Sequence, residues 1–96
     1  MEKPIVSVIM PVYCGEKYIC QAVDSVFAQD VPLELIVVDD ASSDGTSQVL
    51  EPYKKRQDFV YVRNEQNMGA AASRNRGVQK ARGIYVAYLD ADDWWE

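Results

Sequence analysis

Residues 33–46 read LELIVVDDASSDGT, and this stretch decides the fold. Residues 33–38 are mostly apolar and β-branched, which is typical of a strand buried on both faces of a parallel sheet. The residues that follow are polar and turn-forming, and Asp44 is a candidate N-cap for a helix beginning near Thr46. A buried strand, a polar turn and a helix in this order form the repeating unit of an α/β fold.

The same alternation extends in both directions along the chain. The predicted strands are residues 5–12, 33–38, 59–63 and 84–89, and the predicted helices are residues 15–29, 46–56 and 70–81. Pro52 is expected to kink or shorten the second helix, and Gly83 to cap the third. Right-handed crossovers then give an α/β fold with a parallel sheet of about four strands and helices on both faces. Periodicity does not reveal the order of the strands, and we expect the Rossmann-like order 3-2-1-4, which is the default for this arrangement.

Length and composition favour one small globular domain covering residues 1–96. The chain is 48% hydrophobic and 26% charged, with a net charge of −5. A nucleic-acid-binding surface needs a clustered basic face, so no nucleic-acid partner is expected. Residues 1–4 lead directly into a strand, and no apolar run approaches the roughly 20 residues that span a bilayer. We therefore expect neither a signal peptide nor a membrane span here, while an anchor after Glu96 stays open.

The titratable and cysteine residues limit which catalytic groups, metal ligands and disulfides the chain can have. The sequence has no histidine, which removes the commonest general base and zinc ligand and leaves catalysis to carboxylates. Cys14 and Cys20 do not make a disulfide framework and fit two reduced thiols. A cytoplasmic protein is expected, with peripheral attachment to the inner face of the membrane open for a longer chain.

Three polar clusters follow the predicted strands, at the carboxyl ends where open parallel sheets bind ligands. They are residues 13–16 (YCGE), Asp39 with Asp40, and residues 90–93 (DADD). In the order 3-2-1-4 the strands that carry them are neighbours. The sequence therefore predicts one shared rim for all three clusters.

The acidic cluster at residues 90–93 is a candidate metal site. Neighbouring carboxylates repel one another and need a cation, hydrogen bonds or water to stay ionised. Hard oxygen ligands suit Mg²⁺ or Mn²⁺, and an ion with open positions can hold a diphosphate. A solvated acidic turn is the alternative, and the position after a buried strand favours the metal.

Other residues at this rim have competing interpretations. A carboxylate of the Asp39–Asp40 pair could accept a hydrogen bond from a uracil N–H or simply form a turn. Tyr13 could stack on a base or be an aromatic at the edge of the core. Arg74 could reach a phosphate or lie on a solvated helix face, and the solvated face is favoured for Arg76.

Four motifs together resemble glycosyltransferase family 2, which has the GT-A fold. Residues 6–13 (VSVIMPVY) are similar to the first strand of the family, and residues 34–46 (ELIVVDDASSDGT) to its second strand and turn. Residues 67–77 (NMGAAASRNRG) are similar to N-x-G-x-x-x-A-R-N-x-G. Residues 89–93 (LDADD) resemble the L-D-x-D-D that holds the DXD motif. The match covers essentially the whole chain, in order and with family spacing.

The resemblance implies a role for each matching position. Pro11 and Tyr13 would line the nucleobase pocket, Asp40 would accept from the uracil N–H, and Asp39 would support the ribose end. Arg74 would face the nucleotide. Asp90 would lie near the ribose and the metal, and Asp92 would be the direct ligand of Mn²⁺ or Mg²⁺; the part played by Asp93 is left open.

The resemblance also implies an activity: metal-dependent transfer of a sugar, with inversion, from a nucleotide sugar to an acceptor hydroxyl. A UDP-sugar is the favoured donor, and a glycan or lipid-linked glycan of cell-wall or polysaccharide biosynthesis is the implied acceptor. Members of the family continue past the position of Glu96, and that part carries the acceptor site and the catalytic base. No residue of this chain is assigned as the base, and the 96-residue segment alone is expected to be inactive.

Two positions depart from the family pattern, and three other interpretations stay open. Cys14 stands where the family usually has Asn, and Ser73 replaces a common Ala. A haloacid-dehalogenase-like phosphatase would carry its Asp-x-Asp after the first strand, and a nicotinamide dehydrogenase would show G-x-G-x-x-G there. A folded fragment that binds nucleotide weakly or not at all is the third. Its exposed fourth strand, with Trp94 and Trp95, would favour self-association.

Overall fold

A computed structural model describes residues 3–92, which form one open parallel sheet with helices on both faces. The strands are β1 (Val6–Val12), β2 (Leu33–Asp39), β3 (Phe59–Arg63) and β4 (Tyr85–Tyr88), and the helices are α1 (Ile19–Phe27), α2 (Thr46–Val49) and α3 (Ala70–Lys80). The strand order is β3-β2-β1-β4, and every pair is parallel. The predicted fold class and strand order are confirmed.

Two apolar layers cover the sheet. The crossovers from β1 to β2 and from β2 to β3 step the same way across the sheet, so right-handedness puts α1 and α2 on one face. The crossover from β3 to β4 runs across the sheet in the opposite direction, so α3 lies on the other face. Side chains of β1 alternate between the layers: Val8 and Met10 pack in the α1 layer, and Ile9 packs in the α3 layer. All three are fully buried.

Helix α1 was predicted over residues 15–29. In the structure it begins later, at Ile19, and ends two residues before the predicted end, at Phe27. The N–H groups of Gly15 and Glu16 donate instead to Thr46 Oγ1 at 3.0 Å and to Asp44 Oδ2 at 3.3 Å. These long-range bonds hold the chain after β1 as a turn, and the Ile19 N–H closes it by donating to the Gly15 carbonyl at 2.9 Å. The predicted helix start was therefore wrong, because sequence periodicity does not reveal competing tertiary hydrogen bonds.

The second predicted helix is broken at its middle, as expected from Pro52. Helix α2 ends at Val49, and a 3₁₀ helix continues from Glu51 to Lys55. Proline has no N–H, and its ring clashes with the carbonyl four residues earlier, so an α-helix cannot continue through it. The N-cap position is occupied by Gly45 rather than Asp44, but Oδ1 of Asp44 still accepts the Thr46 N–H at 3.0 Å.

Helix α3 lies close against the sheet because Gly77 faces it. A Cβ at Gly77 would lie 2.5 Å from Cγ2 of Ile9 and 3.2 Å from Cγ2 of Val38. Gly83, which was predicted to cap this helix, lies beyond the C-cap residue Ala81. A Cβ at Gly83 would lie 2.7 Å from the Ser7 nitrogen, so this glycine permits close approach to β1 and is not a cap.

A buried polar network secures the amino edge of the sheet, opposite the predicted site. The Glu34 carboxylate is fully buried and accepts from the Ser7 hydroxyl at 2.6 Å and the Arg82 N–H at 2.7 Å. The Gly83 N–H donates to Ser7 Oγ at 2.8 Å. The network thereby joins β1, β2 and the connection into β4. No helix formed by residues 3–92 is long and apolar enough to span a membrane.

Candidate functional site

A pocket opens at the carboxyl edge of the sheet, where β1 lies between β2 and β4. Its volume is about 120 Å³, and it is lined by Pro11, Val12, Tyr13, Asp40, Ala70, Ser73 and Asp90. Pro11 and Tyr13 come from the end of β1, Asp40 follows β2, and Asp90 follows β4. The predicted rim thus brings four of the proposed site residues into one pocket.

Asp40 is held in the pocket wall by three donors. Its Oδ1 accepts from Asn64 Nδ2 at 2.8 Å and from the Met68 N–H at 2.7 Å, and its Oδ2 accepts from the Gly69 N–H at 2.9 Å. Burial on its own would raise the pKa of Asp40, but these hydrogen bonds, with a contribution from Ser73, lower it below its ordinary value. The carboxylate is therefore ionised at neutral pH although it is almost completely buried.

Gly69 makes this arrangement possible through its backbone. Its φ angle is 90°, a conformation that residues with a side chain rarely adopt. It is the N-cap residue of α3, and its N–H points back to Asp40 while its carbonyl accepts the Ser73 N–H at 3.1 Å. The loop before α3 is therefore bent around the carboxylate that follows β2.

Asn64 connects Asp40 to α3 and was not identified from the sequence. It is fully buried after β3, and its Nδ2 donates to Asp40 and, at 3.0 Å, to Ser73 Oγ. Its Oδ1 accepts from Arg76 Nη1 at 2.6 Å. The serine that replaces the common alanine of the family therefore gains a hydrogen bond, and Arg76 has a defined partner instead of the solvated position that was favoured.

Asp39 lies on the opposite side of the strand from Asp40. It is fully buried; its Oδ1 accepts the Ser42 N–H at 2.9 Å, and its Oδ2 accepts from Tyr61 Oη at 2.6 Å and Arg63 Nη1 at 3.1 Å. Burial, with the hydrogen bond to Asp39, raises the pKa of Tyr61. Asp39 is not among the residues that line the pocket, and its role at the ribose end stays a prediction.

The loops after β1 and β2 are tied together beside the pocket. Ser42 Oγ accepts the Cys14 N–H at 2.8 Å, and the Gly45 N–H donates to Glu16 Oε1 at 3.0 Å. Cys14 has a φ angle of 53°, in the left-handed region where Asn is enriched among residues with side chains. The asparagine usual at this family position is therefore explained by backbone conformation. A hydrogen bond with Ser43 lowers the pKa of the Cys14 thiol.

Arg74 forms an ion pair with Asp90, which lines the pocket, but Arg74 itself is not among the lining residues. Arg74 Nη2 lies 3.3 Å from Asp90 Oδ1, and the two side chains are 38% and 60% exposed. An exposed pair of this kind contributes little to stability, in the range of about 0–1 kcal/mol. Both groups are therefore accessible to a charged ligand, with the guanidinium suited to phosphate.

Asp90 and Asp92 both lie exposed after β4. No group of three Asp, Glu, Cys or His side chains close enough to hold a metal ion occurs within residues 3–92. Asp93, like Trp94 and Trp95, lies outside the described residues. A site for Mg²⁺ needs only one or two protein carboxylates when phosphate and water supply the other ligands, so the donor chemistry of Asp90 and Asp92 fits such an ion.

A second, larger cavity lies at the amino edge of the sheet. Its lining includes Phe27, Val31, Arg56 and Asp58. Arg56 donates to both carboxylate oxygens of Asp58, at 2.8 and 2.9 Å, so the charges in this cavity satisfy one another. Of these two cavities we therefore take the one at the carboxyl edge as the candidate site.

A Rossmann-like sheet with a pocket at its switch point is the arrangement of nucleotide-binding α/β domains. The sequence profile of Glycosyl transferase family 2 matches residues 7–96, and the chain belongs to this family. The phosphatase and dehydrogenase alternatives are thereby excluded.

Curated relatives of this chain are bacterial and archaeal glycosyltransferases. The chain is 47% identical over 96 residues to the putative teichuronic acid biosynthesis glycosyltransferase TuaG of Bacillus subtilis. The aligned region covers 98% of this chain and 38% of TuaG. It is 38% identical to the putative glycosyltransferase EpsH of the same organism, over 100% of the chain and 28% of EpsH. The chain therefore spans well under half the length of these relatives.

Two solved transferase structures that are similar to this chain contain a nucleotide sugar. The crystal structure of Staphylococcus aureus TarS in complex with UDP-GlcNAc superposes with a TM-score of 0.86 and 38% identity, over 93% of this chain and 27% of that one. The mannosyltransferase PcManGT of Pyrobaculum calidifontis, in complex with GDP-Man and Mn²⁺, superposes with a TM-score of 0.88 and 32% identity, over 98% of this chain and 29% of that one. The sheet and its strand order match the GT-A fold of these transferases.

Proposed function

We propose that residues 1–96 form the donor-binding part of a metal-dependent, inverting glycosyltransferase that uses a UDP-sugar. The observation that carries the proposal is the pocket shared by Pro11, Tyr13, Asp40 and Asp90. Tyr13 is 54% exposed and available to stack on a base, and Asp40 offers an ionised acceptor in the pocket wall. The complex of TarS with UDP-GlcNAc supports this assignment.

The phosphate end of the donor is assigned to the exposed groups at the rim. Arg74 would contact the diphosphate, and Asp90 and Asp92 would hold Mn²⁺ or Mg²⁺. Such an ion neutralises the charge that develops on a leaving diphosphate. The complex of PcManGT with Mn²⁺ supports the metal. The Arg74–Asp90 ion pair is weak enough to open when a ligand binds, because both partners are solvated.

The remaining steps of transfer are assigned outside this segment. A single displacement with inversion needs a general base to accept the proton of the acceptor hydroxyl. The pocket carboxylate Asp40 accepts hydrogen bonds from three protein donors and has a lowered pKa, which makes it a poor base. We therefore propose that the base and the acceptor site belong to a longer protein, as in relatives of which the chain covers only 38% or less.

The biological setting is proposed from the same relatives. TuaG is named for teichuronic acid biosynthesis and TarS for transfer to poly(ribitol-phosphate). A cell-wall or related glycan, free or lipid-linked, is the acceptor that we propose for the longer protein. Cys14 and Cys20 are both free thiols, which is consistent with a reducing compartment, and we propose the cytoplasm, at or near the inner face of the membrane.

Calorimetry of the 96-residue chain tests the proposal. We expect UDP to bind in the presence of Mn²⁺ and to bind at least about tenfold more weakly when Asp92 is replaced by Asn, because a ligand of the metal is lost. Asp30→Asn, in the exposed turn before β2, is the matched control and should leave binding unchanged.

Two outcomes would overturn the assignment. Absence of nucleotide binding with or without Mn²⁺ would favour an inert folded fragment. Turnover of a UDP-sugar by the 96 residues alone, in a hydrolysis and transfer assay, would contradict the proposed absence of the base.

A further inference from the structure

Strand β4 leads into Asp90 and Asp92, yet little of it is held by apolar burial. None of its four residues is buried, and its two tyrosines are more than half exposed. Within residues 3–92 it pairs on one side only, with β1. Burial of apolar surface is the main favourable term that holds an element in a fold. The position of β4 therefore depends strongly on its hydrogen bonds.

Ser7 and Glu34 hold the approach to β4 through a directed chain of hydrogen bonds. Both side chains are fully buried. Because a backbone N–H only donates and a carboxylate only accepts, the Ser7 hydroxyl donates to Glu34 Oε2, at 2.6 Å, and accepts from the Gly83 N–H, at 2.8 Å. Oε2 of Glu34 also accepts the Arg82 N–H at 2.7 Å. Two consecutive backbone groups before β4 are therefore fixed to side chains of β1 and β2.

The residues after β4 carry the position of the strand to the rim of the pocket. Leu89 and Ala91 are buried, and Asp90 and Asp92 alternate with them and are exposed. The backbone between the anchored residues and these carboxylates is short and extended, so a shift at the start of β4 moves its end as well.

We propose that Ser7 and Glu34 are positioning residues that set Asp90 and Asp92 for the metal ion of the donor complex. A metal site works only when its ligands are held within about 0.5 Å of the productive geometry. Asp90 and Asp92 are too exposed to be held by packing of their own side chains. Their placement is therefore assigned to the buried hydrogen bonds at the other end of the strand. This proposal rests on the assignment of the metal to Asp90 and Asp92.

The test compares the effect of Mn²⁺ on UDP binding in the 96-residue chain and its variants. The Mn²⁺ effect is the dissociation constant of UDP without Mn²⁺ divided by that with Mn²⁺, both from calorimetry. We expect a value of about ten or more in the unmodified chain. Ser7→Ala removes the acceptor of the Gly83 N–H and should reduce the value to about three or less. The dissociation constant without Mn²⁺ should stay the same, because Pro11 and Tyr13 lie at the opposite end of β1.

A second pair of variants separates the hydrogen bonds of Glu34 from its charge. Glu34→Gln keeps an oxygen that can accept from Ser7 and from the Arg82 N–H, and the half-exposed Arg82 side chain can turn away from the new amide N–H groups. It should retain the Mn²⁺ effect. Glu34→Leu has a similar size but no acceptor, and should reduce the effect as Ser7→Ala does. Ser25→Ala is the matched control, because it removes a hydroxyl that donates within α1 at 2.7 Å, and should leave the effect unchanged.

NMR of the chain without metal or nucleotide gives an independent readout of the strand position. Ser7 lies beside Val86 in the sheet, before the residues that carry the carboxylates. In Ser7→Ala we expect the backbone amide signals of residues 89–92 to move. The amide signals of Met68 and Gly69, which lie at the same rim but donate to the carboxylate after β2, should not move.

The two proposals fail in different ways. An unchanged Mn²⁺ effect in both Ser7→Ala and Glu34→Leu would overturn the positioning role while leaving the donor and metal site intact. An equal loss of UDP affinity with and without Mn²⁺ in these variants would also overturn it, because a general loss of stability would then explain the result. Absence of UDP binding, or of any Mn²⁺ effect, in the unmodified chain would overturn both proposals.

Discussion

The N–H of Gly69, at the start of α3, donates to Oδ2 of Asp40, at the end of β2, over 2.9 Å. With the donors Asn64 and Met68, this bond joins three separate segments of chain around one buried carboxylate. A negative charge in such a position is stabilised only while its donors remain in place. The same contacts therefore serve both the pocket and the stability of the fold.

The acid stability of the protein should depend on Asp40. Its pKa is lowered in the folded state from an ordinary value of 3.8, so its contribution is complete above that value and lost as the pH falls through the folded value. At pH 7 we expect Asp40→Asn to lower the free energy of unfolding by about 1–3 kcal/mol. The side-chain NH₂ of the new asparagine would lie against N–H donors that now bind a carboxylate oxygen, and those groups would lose their acceptor. Urea denaturation from pH 7 to pH 3 should show this difference shrinking below about pH 4.

Asp30→Asn provides the reference for this experiment. Asp30 is exposed, and its substitution should change the free energy of unfolding by less than about 0.5 kcal/mol at any of these pH values. A cost of Asp40→Asn that is as large at pH 3 as at pH 7 would contradict the ionised, hydrogen-bonded state of Asp40.

Replacing Cys14 by Asn should stabilise the protein. Cys14 has a φ angle of 53°. This left-handed conformation costs free energy for residues with a side chain, and the cost is smaller for Asn than for most others. We expect Cys14→Asn to raise the free energy of unfolding by roughly 0.5–1 kcal/mol in urea denaturation. Cys14→Ala removes the thiol without relieving the backbone and should give no gain. A loss of stability in Cys14→Asn would count against the backbone explanation.

Gly77→Ala should destabilise the protein although alanine favours helices. The added methyl would lie 2.5 Å from Cγ2 of buried Ile9 and 3.2 Å from Cγ2 of Val38. Overpacking of this kind costs about 1–3 kcal/mol, which exceeds the gain of up to about 1 kcal/mol from helix propensity. Thermal or urea unfolding should show the loss, and Asn75→Ala on the exposed side of α3 should show a small gain. Greater stability of Gly77→Ala would mean that α3 lies farther from the sheet.

The isolated chain should self-associate through β4. Within residues 3–92 this strand pairs only with β1, and its exposed side chains include Tyr85, Val86 and Tyr88. Exposed apolar edge strands favour pairing between molecules. Light scattering should give a mass that rises with concentration, and Val86→Lys should shift it toward the monomer.

Val78→Lys is the matched control for the edge strand. Val78 is exposed to a similar extent, 38% against 40% for Val86, but lies on α3. Its substitution should leave the concentration dependence unchanged. A monomeric mass at all concentrations would rule out association through β4.

The fold was predictable because apolar runs and crossover handedness constrain it strongly. The four apolar runs predicted the strands, and the order 3-2-1-4 was expected as the default order of a Rossmann-like sheet, which the structure confirms. The start of α1 was not predictable, because it depends on hydrogen bonds from Gly15 and Glu16 to residues about 30 positions away.

The candidate site was predictable in outline only. Adjacent side chains in an extended chain point to opposite faces, so the alternation along β2 already predicts that Asp39 and Asp40 lie on different sides of the sheet. Asn64 carries no local signal beyond being polar after a strand. Its importance comes from Asp40 and Arg76, which only the folded chain brings to it.

The hydrogen bond between Ser7 and Gly83 has a consequence for the order in which the chain folds. It joins residues 76 positions apart, and the Glu34–Arg82 contact spans 48. Contacts that close such long loops carry a high entropic cost and form late. We therefore expect β4 to dock last during refolding, and its amide protons to exchange with deuterated solvent before those of β1 and β2.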